Sequence, residues 1–181
     1  MKKWIALFSH TGSEIVNVSK VLGIVPDLVI TNQQPSVNIH SDVRVLAKQI
    51  TYVDSKPSAD DYERLFRLDY DKDVIITLHG WMRIIPGKIC KKYDIYNLHP
   101  GLITKYPELK GKDPQARVFN GDKSYEHVGC VLHRAIEEVD AGDVLMEMST
   151  RNNFYSESTL AENLHAMAAD MWTQFLEDRL K

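Results

Sequence analysis

Asn97 and His99 are the residues whose types and spacing most clearly suggest chemistry. They lie two positions apart at the end of a predicted strand, so both side chains point to the same face. Pro100 cannot continue a strand ladder, which places the pair at the strand's carboxyl end. An amide beside an imidazole can donate to a developing oxyanion and carry a proton. The pair therefore indicates either a catalytic site or a hydrogen-bonded strand end without a catalytic role.

A turn rich in carboxylates, residues 137–143, follows the predicted strand that carries His133. A carboxylate on such a turn can orient a histidine and raise its affinity for a proton. The same composition is also typical of a solvated turn between two strands. Sequence spacing alone does not bring Asp140 to His99, so both interpretations stay open.

The loop after the first predicted strand contains Thr11, Gly12, Ser13 and Glu14. A turn at a helix N-terminus offers free backbone N–H groups to an anion, whereas the Glu14 carboxylate would repel a phosphate. The loop has neither the G-x-G-x-x-G pattern nor the lysine of a P-loop, so it matches neither nucleotide motif. We expect either an anion-binding loop or a plain strand-to-helix turn.

The seven histidines do not form a metal motif. None is spaced as in H-x-x-x-H or H-E-x-x-H, and Cys90 and Cys130 do not form a C-x-x-C pair. We therefore expect no metal. Two cysteines are also too few for a disulfide framework, so the reducing cytoplasm is the expected compartment.

Composition excludes several classes of protein. The 181 residues are 44% apolar and 26% charged, which excludes bulk disorder, and the net charge of −3 argues against a nucleic-acid binder. No apolar stretch approaches the roughly 20 residues of a membrane span. We expect a single catalytic domain over residues 1–181, with no nucleic-acid or membrane partner and with its oligomeric state open.

The elements that must position these side chains alternate between buried strands and amphipathic helices. A strand, a loop, a helix and a second strand open the chain, which favours a parallel sheet with helices on its faces. Strands are predicted at 4–8, 27–31, 73–78, 95–98, 128–135 and 143–148, and helices at 14–22, 58–68 and 114–120. The final segment is an amphipathic helix, capped by Ser156 or Thr159, with one apolar face made of Leu160, Leu164, Met167, Met171 and Phe175.

Four segments together resemble a known family. They are DVIITLHGWMRII at 73–85, YNLHPGL at 96–102, GCVLH at 129–133 and VDAGD at 139–143. In order and approximate spacing they are similar to the central strand, the catalytic segment and the aspartate-bearing turn of the formyltransferases that use 10-formyltetrahydrofolate. The resemblance is greatest to the phosphoribosylglycinamide branch of that family.

The resemblance implies an α/β fold, a Rossmann-like, mostly parallel sheet flanked by helices. It also implies transfer of a formyl group from 10-formyltetrahydrofolate to the primary amine of a small acceptor. The implied catalytic residues are Asn97, His99 and Asp140. The implied folate contacts are Met82, Arg83, Ile84, Val139, Asp140 and Asp143. The implied acceptor contacts are Thr11, Gly12, Ser13, Glu14 and His133.

The acceptor stays open at this stage. Relatives that act on glycinamide ribonucleotide, in purine biosynthesis, hold its phosphate with a G-x-G-S-N loop. Here His10 and Glu14 replace the first glycine and the asparagine, so an amino-sugar nucleotide is the other acceptor considered. Glu14 would then contact an amine or hydroxyl of the acceptor, or else point into solvent from the first helical turn. Hydrolysis of the same folate and a catalytically silent folate- or nucleotide-binding protein are the alternative functions.

Overall fold

The computed structural model describes residues 2–34, 38–67 and 73–180. The strands of these residues form one sheet in the order β3-β2-β1-β4-β5-β6-β7. Neighbours from β3 to β5 are parallel, and β6 and β7 are antiparallel additions at one edge. The strands are β1 Lys3–Phe8, β2 Leu28–Thr31, β3 Ile50–Tyr52, β4 Val74–His79, β5 Ile95–His99, β6 His127–Arg134 and β7 Val144–Arg151.

Helices cover both faces of this sheet. They are α1 Ser13–Leu22, α2 Val43–Leu46, α3 Ala59–Phe66, α4 Gly87–Lys92, α5 Pro114–Asn120 and α6 Glu157–Leu180, with a 3₁₀ turn at Pro107–Leu109. The predicted α/β class with a mostly parallel sheet is therefore confirmed. None of the helices in the described ranges is long and apolar enough to cross a membrane.

Strand β1 shows why the sheet needs helices on both faces. Trp4 and Phe8 belong to the core beneath α1 and α6, whereas Ile5 and Leu7 belong to the core beneath α3 and α4. All four side chains are fully buried. Because successive strand residues point to opposite faces, an uninterrupted apolar run can be stable only when both faces are covered.

Helix α6 has the predicted apolar face. Leu160, Leu164, Met171 and Phe175 are buried, and Met167 packs against the same core. The Ser156 hydroxyl caps the helix by accepting a hydrogen bond from the backbone N–H of Thr159, at 3.2 Å. The alternative cap, Thr159, is thereby excluded.

Several elements differ from the predictions, mostly by one residue at an end; β7 differs most, because it extends to Arg151 and not to residue 148. Strand β5 includes His99, because that residue pairs with Val131 of β6. Helix α4 was not predicted, because six residues with little apolar periodicity give too weak a signal. The helix predicted at 58–68 begins after its cap, Ser58, and ends at Phe66; residue 68 lies outside the described ranges.

The chain order creates a switch point between β1 and β4. From β1 the chain builds β2 and β3 on one side, and then crosses back to β4 on the other side. Phe8 and His79, the last residues of β1 and β4, are paired in parallel register. At such a point the loops leave the carboxyl ends of neighbouring strands in opposite directions, which opens a crevice.

Candidate active site

A cavity of about 700 Å³ occupies this crevice. Its lining comes from the loops after β1, β4 and β5, from residues 111–115, from the turn after β6 and from the face of α6 that overhangs the sheet. The Asn97 and His99 side chains line the cavity, as the parallel topology leads us to expect for the carboxyl end of β5.

The structure brings Asn97, His99 and Asp140 together. Nδ1 of His99 lies 3.1 Å from Oδ2 of Asp140, and Nδ2 of Asn97 donates to Oδ1 of the same carboxylate at 3.2 Å. His99 and Asp140 are both buried. The contact between His99 and the acidic turn, which sequence spacing could not establish, is thus present in the fold.

His133 is a fourth member of this cluster. Its Nε2 lies 3.3 Å from Oδ1 of Asp140 and 3.2 Å from Nδ2 of Asn97, while its Nδ1 donates to the Arg134 carbonyl at 3.0 Å. The antiparallel pairing of β5 and β6 sets His133 directly opposite Asn97. His133 was predicted as an acceptor contact; its ring lines the cavity and also contacts the carboxylate of Asp140.

The backbone of the turn aims Asp140 at the two histidines. Asp140 has a φ of 51°, in the left-handed region that Asp tolerates better than most residues. At Gly142 a Cβ would lie 1.8 Å from the Arg134 carbonyl oxygen, so only glycine allows the turn to close this tightly against the end of β6. The Arg134 N–H completes the closure by donating to the Asp143 carbonyl at 2.9 Å.

The surroundings of Asp140 favour its anionic form. Burial alone raises the pKa of this carboxyl, but the hydrogen bonds from His133 and His99 outweigh burial and hold the pKa well below its ordinary value. The backbone N–H of Gly111 acts in the same direction by donating to Oδ2 at 2.9 Å. The cluster is therefore built around a fixed negative charge.

The second nitrogen of His99 is also held. Nε2 donates to the Leu109 carbonyl at 2.8 Å, while Nδ1 faces the Asp140 carboxylate. Both neighbours of the ring are acceptors, so the ring has an acceptor for a proton on either nitrogen. His99 is thereby a positioned proton donor beside a buried anion.

An apolar rim borders the cavity on the side of β4 and the acidic turn. Exposed apolar side chains line it: Met82 (41% exposed), Ile84 (68%), Val139 (47%) and Ile136 (42%). Ile136 was not predicted as a folate contact, because a residue in the turn after β6 has no periodic sequence pattern that would indicate which way it faces. Among the predicted folate contacts, Arg83 lines the cavity and its guanidinium binds the backbone carbonyls of Ser55 and Met82, whereas Asp143 does not line the cavity.

The loop after β1 lines the opposite part of the cavity. Gly12 has a φ of 75°, and Thr11 and Ser13 bond to each other through their hydroxyls at 3.1 Å. Glu14 turns inward: its Oε2 lies 2.6 Å from Nδ1 of His79, and its side chain is only 14% exposed. The expectation that Glu14 could point into solvent is therefore wrong.

His79 is a residue that sequence reasoning did not single out. It ends β4, a strand that is otherwise apolar except for Thr77, two positions earlier on the same face. A polar pair at the carboxyl end of a buried strand is the signal that would have found it, by the reasoning applied to Asn97 and His99.

Comparison with known proteins agrees with this architecture. The chain is 39% identical over 87 residues to phosphoribosylglycinamide formyltransferase of Dictyostelium discoideum, a match covering 43% of this chain and 41% of that protein. It is 28% identical over 145 residues to formyltetrahydrofolate deformylase 2, mitochondrial, of Arabidopsis thaliana, covering 75% of this chain and 42% of that protein. The chain thus spans about two fifths of the length of these curated relatives.

A solved structure has the same fold along its whole length. The crystal structure of phosphoribosylglycinamide formyltransferase from Streptococcus pneumoniae TIGR4 superposes with a TM-score of 0.81 over 100% of both chains, at 18% identity. At that identity the likeness concerns the fold. The formyl transferase family model matches residues 40–174, which include all four residues of the polar cluster. The chain therefore belongs to the formyl transferase family.

Proposed function

We propose that this protein transfers a formyl group from 10-formyltetrahydrofolate to the primary amine of a small acceptor. The observation that carries the proposal is the cluster in which Asn97 and His99 share the buried carboxylate of Asp140. Membership of the formyl transferase family supports the same reaction.

In the proposed reaction the amine attacks the formyl carbon and the formyl oxygen becomes an oxyanion. The side chains of Asn97 and His99 are N–H donors at the end of one strand, and two such donors can stabilise this charge. They now bind Asp140 and the Leu109 carbonyl, so the reaction requires that the formyl oxygen take over an N–H from them. Catalytic hydrogen bonds often reach their final geometry only in the substrate complex, so the unliganded arrangement is compatible with this role.

Asp140 has two roles in this mechanism. Its negative charge, favoured by the bonds that hold its pKa low, keeps the proton on Nδ1 of His99 and fixes the plane of the ring. His99 can then pass a proton to the departing folate nitrogen, directly or through water, while the excess proton of the attacking amine is released. His133 holds the carboxylate from its other side.

The apolar rim suits the flat ring system of a folate. Met82, Ile84, Ile136 and Val139 are exposed apolar residues that line one cavity, and Arg83 adds a polar group to the same lining. A ligand pocket of this kind gains affinity from apolar burial and orientation from a few polar groups. We assign this side of the cavity to the folate, and the side that reaches Thr11 and Glu14 to the acceptor.

The test is whether formyl transfer depends on an added amine and on the cluster. Release of tetrahydrofolate is followed together with mass spectrometry of the acceptor, for a panel that includes glycinamide ribonucleotide and amino-sugar nucleotides. We expect formylated product from at least one amine, and a fall in kcat of about 100-fold or more for His99→Ala and Asn97→Ala. His127→Ala is the matched control, because His127 lies at the far end of β6 and does not line the cavity. Equal turnover by wild type and His99→Ala would refute the catalytic assignment.

Hydrolysis of the same folate is the second candidate function. It is favoured by the likeness to the Arabidopsis deformylase, which extends over 75% of this chain. In that reaction water replaces the amine as nucleophile. Release of tetrahydrofolate and formate at full rate without any amine would establish hydrolysis, whereas tight folate binding without either reaction would identify a catalytically silent binding protein.

A further inference from the structure

A hydrogen-bonded pair, Glu14–His79, lies outside the catalytic cluster but lines the same cavity. Glu14 lies in the first turn of α1, where a carboxylate usually faces water. Here its Oε2 lies 2.6 Å from Nδ1 of His79, whose side chain is completely buried. Glu14 is therefore fixed by a buried partner, unlike a carboxylate in the first turn of a helix that is hydrated.

The hydrogen bonds beneath His79 fix both its orientation and its proton. Nε2 lies 2.8 Å from Oγ1 of Thr77, which in turn accepts from Nε1 of Trp4 at 2.8 Å. The Thr77 hydroxyl is 3.4 Å from the Ile5 carbonyl, so its hydrogen is better placed for Nε2 of His79. The proton of the ring is then on Nδ1, where it donates to Glu14.

Trp4, Thr77, His79 and Glu14 form a series of hydrogen bonds in which every donor points toward the Glu14 carboxylate. Trp4 donates to Thr77, Thr77 donates to His79, and His79 donates to Glu14. With its proton on Nδ1 alone, the imidazole is neutral, and the pair then keeps the negative charge of Glu14. Trp172 packs against the His79 ring with centroids 4.7 Å apart, which prevents the ring from turning away.

The remaining charges of the cavity do not compensate for Glu14. Among the described residues that line it, Arg83 and Lys112 are the Lys and Arg side chains. The guanidinium of Arg83 binds the Ser55 and Met82 carbonyls, and the ammonium of Lys112 lies 3.6 Å from Asp113. A phosphate dianion beside Glu14 would thus meet an uncompensated carboxylate, whereas a hydroxyl or ammonium group would meet an acceptor.

We infer that Glu14, held by His79, selects acceptors that present hydroxyl or ammonium groups at the α1 end of the cavity and rejects those that present a phosphate monoester there. The inference rests on the proposed formyl transfer, because it concerns the acceptor of that reaction. Glu14 binds the acceptor, and His79 is a positioning residue that acts through Glu14. The acceptor class is a primary amine whose distal part is a hydroxylated or cationic group.

The test compares two amines that differ only at the distal end: glycinamide ribonucleotide and its dephosphorylated riboside. The ratio of their kcat/KM values is measured for wild type and Glu14→Gln, which keeps the shape of the side chain and removes its charge. We expect wild type to favour the riboside, and Glu14→Gln to shift the ratio toward the ribonucleotide by about tenfold or more, mainly through KM. Glu162→Gln, an exposed change on α6, should leave the ratio unchanged.

The inference would be overturned if wild type preferred the ribonucleotide. It would also be overturned if Glu14→Gln had the same ratio of kcat/KM values as wild type. Glu14→Asp keeps the charge and should keep the wild-type preference, so it tests the same point if Glu14→Gln does not fold. His79→Leu removes the donor that holds Glu14 and should reduce the preference for the riboside over the ribonucleotide, mainly through KM.

A binding measurement separates this inference from the proposed function. Inorganic phosphate is titrated into wild type and Glu14→Gln while tryptophan fluorescence is followed, because Trp172 packs against His79. We expect phosphate to bind Glu14→Gln about tenfold or more tightly than wild type. If no amine is formylated but this difference is found, the proposed function fails and the charge selection stands. Equal phosphate affinities would refute the selection whatever the reaction.

Discussion

His133 and Asn97 face each other across the antiparallel pair formed by β5 and β6, with Nε2 of the histidine 3.2 Å from Nδ2 of the amide. The change from parallel to antiparallel pairing at this point of the sheet is what gives the carboxylate of Asp140 a second partner. Because β6 runs antiparallel to β5, its last residue, Arg134, lies beside Tyr96, and the turn that follows β6 therefore starts one residue from the Asn97–His133 pair.

We expect His133→Ala to impair catalysis without abolishing it. Loss of the ring frees one side of Asp140, so His99 is less firmly oriented, and kcat should fall by about 10- to 100-fold. KM for 10-formyltetrahydrofolate should change little, because the apolar rim is intact. Steady-state kinetics at saturating amine measure both values. An unchanged kcat would show that His133 does not support the carboxylate.

Asp140→Asn should lower activity, and it should make the free energy of unfolding less dependent on pH in acid. The folded state holds the pKa of Asp140 below the value of about 3.9 expected in an unfolded chain, so the unfolded state binds more protons near that pH. The stabilisation by Asp140 is complete above pH ~4 and is lost as pH falls toward the folded pKa. The variant should be less stable by about 2 kcal/mol at pH 7 and should differ less from wild type at pH ~3.

Urea unfolding at both pH values checks this prediction. Asp122→Asn, a change at an exposed site, serves as the control and should follow wild type at each pH. A difference between wild type and Asp140→Asn that grows in acid would contradict the assigned direction of the pKa.

Gly142→Ala should damage the turn that carries Asp140. The added Cβ would lie 1.8 Å from the Arg134 carbonyl oxygen, so the turn must move away from the end of β6. We expect a loss of unfolding free energy of about 2–4 kcal/mol and a fall in kcat, since Asp140 moves with the turn. Gly23→Ala, at a φ of 65° with nothing within 4 Å of the new Cβ, should cost about 1 kcal/mol and leave kcat unchanged.

We expect a polar substitution in the apolar rim to weaken folate binding and to leave the chemical step unchanged. Ile84→Ser removes apolar surface from a side chain that is 68% exposed at the cavity edge, and it should raise KM for the folate by about 3- to 10-fold with kcat nearly constant. Tyr155→Ser, at a residue 86% exposed away from the cavity, is the control. A fall in kcat without a change in KM would place the folate elsewhere.

The sequence was most informative where one strand carries the whole signal. Asn97 and His99 share a face because of strand periodicity alone, and Pro100 marks their end of the strand. Asp140 could not be joined to them in this way, because its position depends on a left-handed residue, a close approach at Gly142 and an antiparallel edge. Only the resemblance to relatives suggested that contact before the structure was known.

The Glu14–His79 pair was harder to predict for a related reason. Its members are 65 residues apart and meet because β1 and β4 are neighbours in the sheet. Periodicity within a segment reports which face a residue occupies, but it contains no information about which other segment lies beside it. The charge of Glu14 therefore marked it as a candidate site residue, whereas nothing in the sequence marked His79 as its partner.

The left-handed backbone of Asp140 also bears on how this protein could change over generations. Asparagine is the other non-glycine residue that adopts this conformation readily, and a single nucleotide substitution converts an aspartate codon into an asparagine codon. One mutation could thus remove the anion while the backbone of the turn keeps its conformation. A descendant with the same fold and without the buried negative charge is therefore a single substitution away.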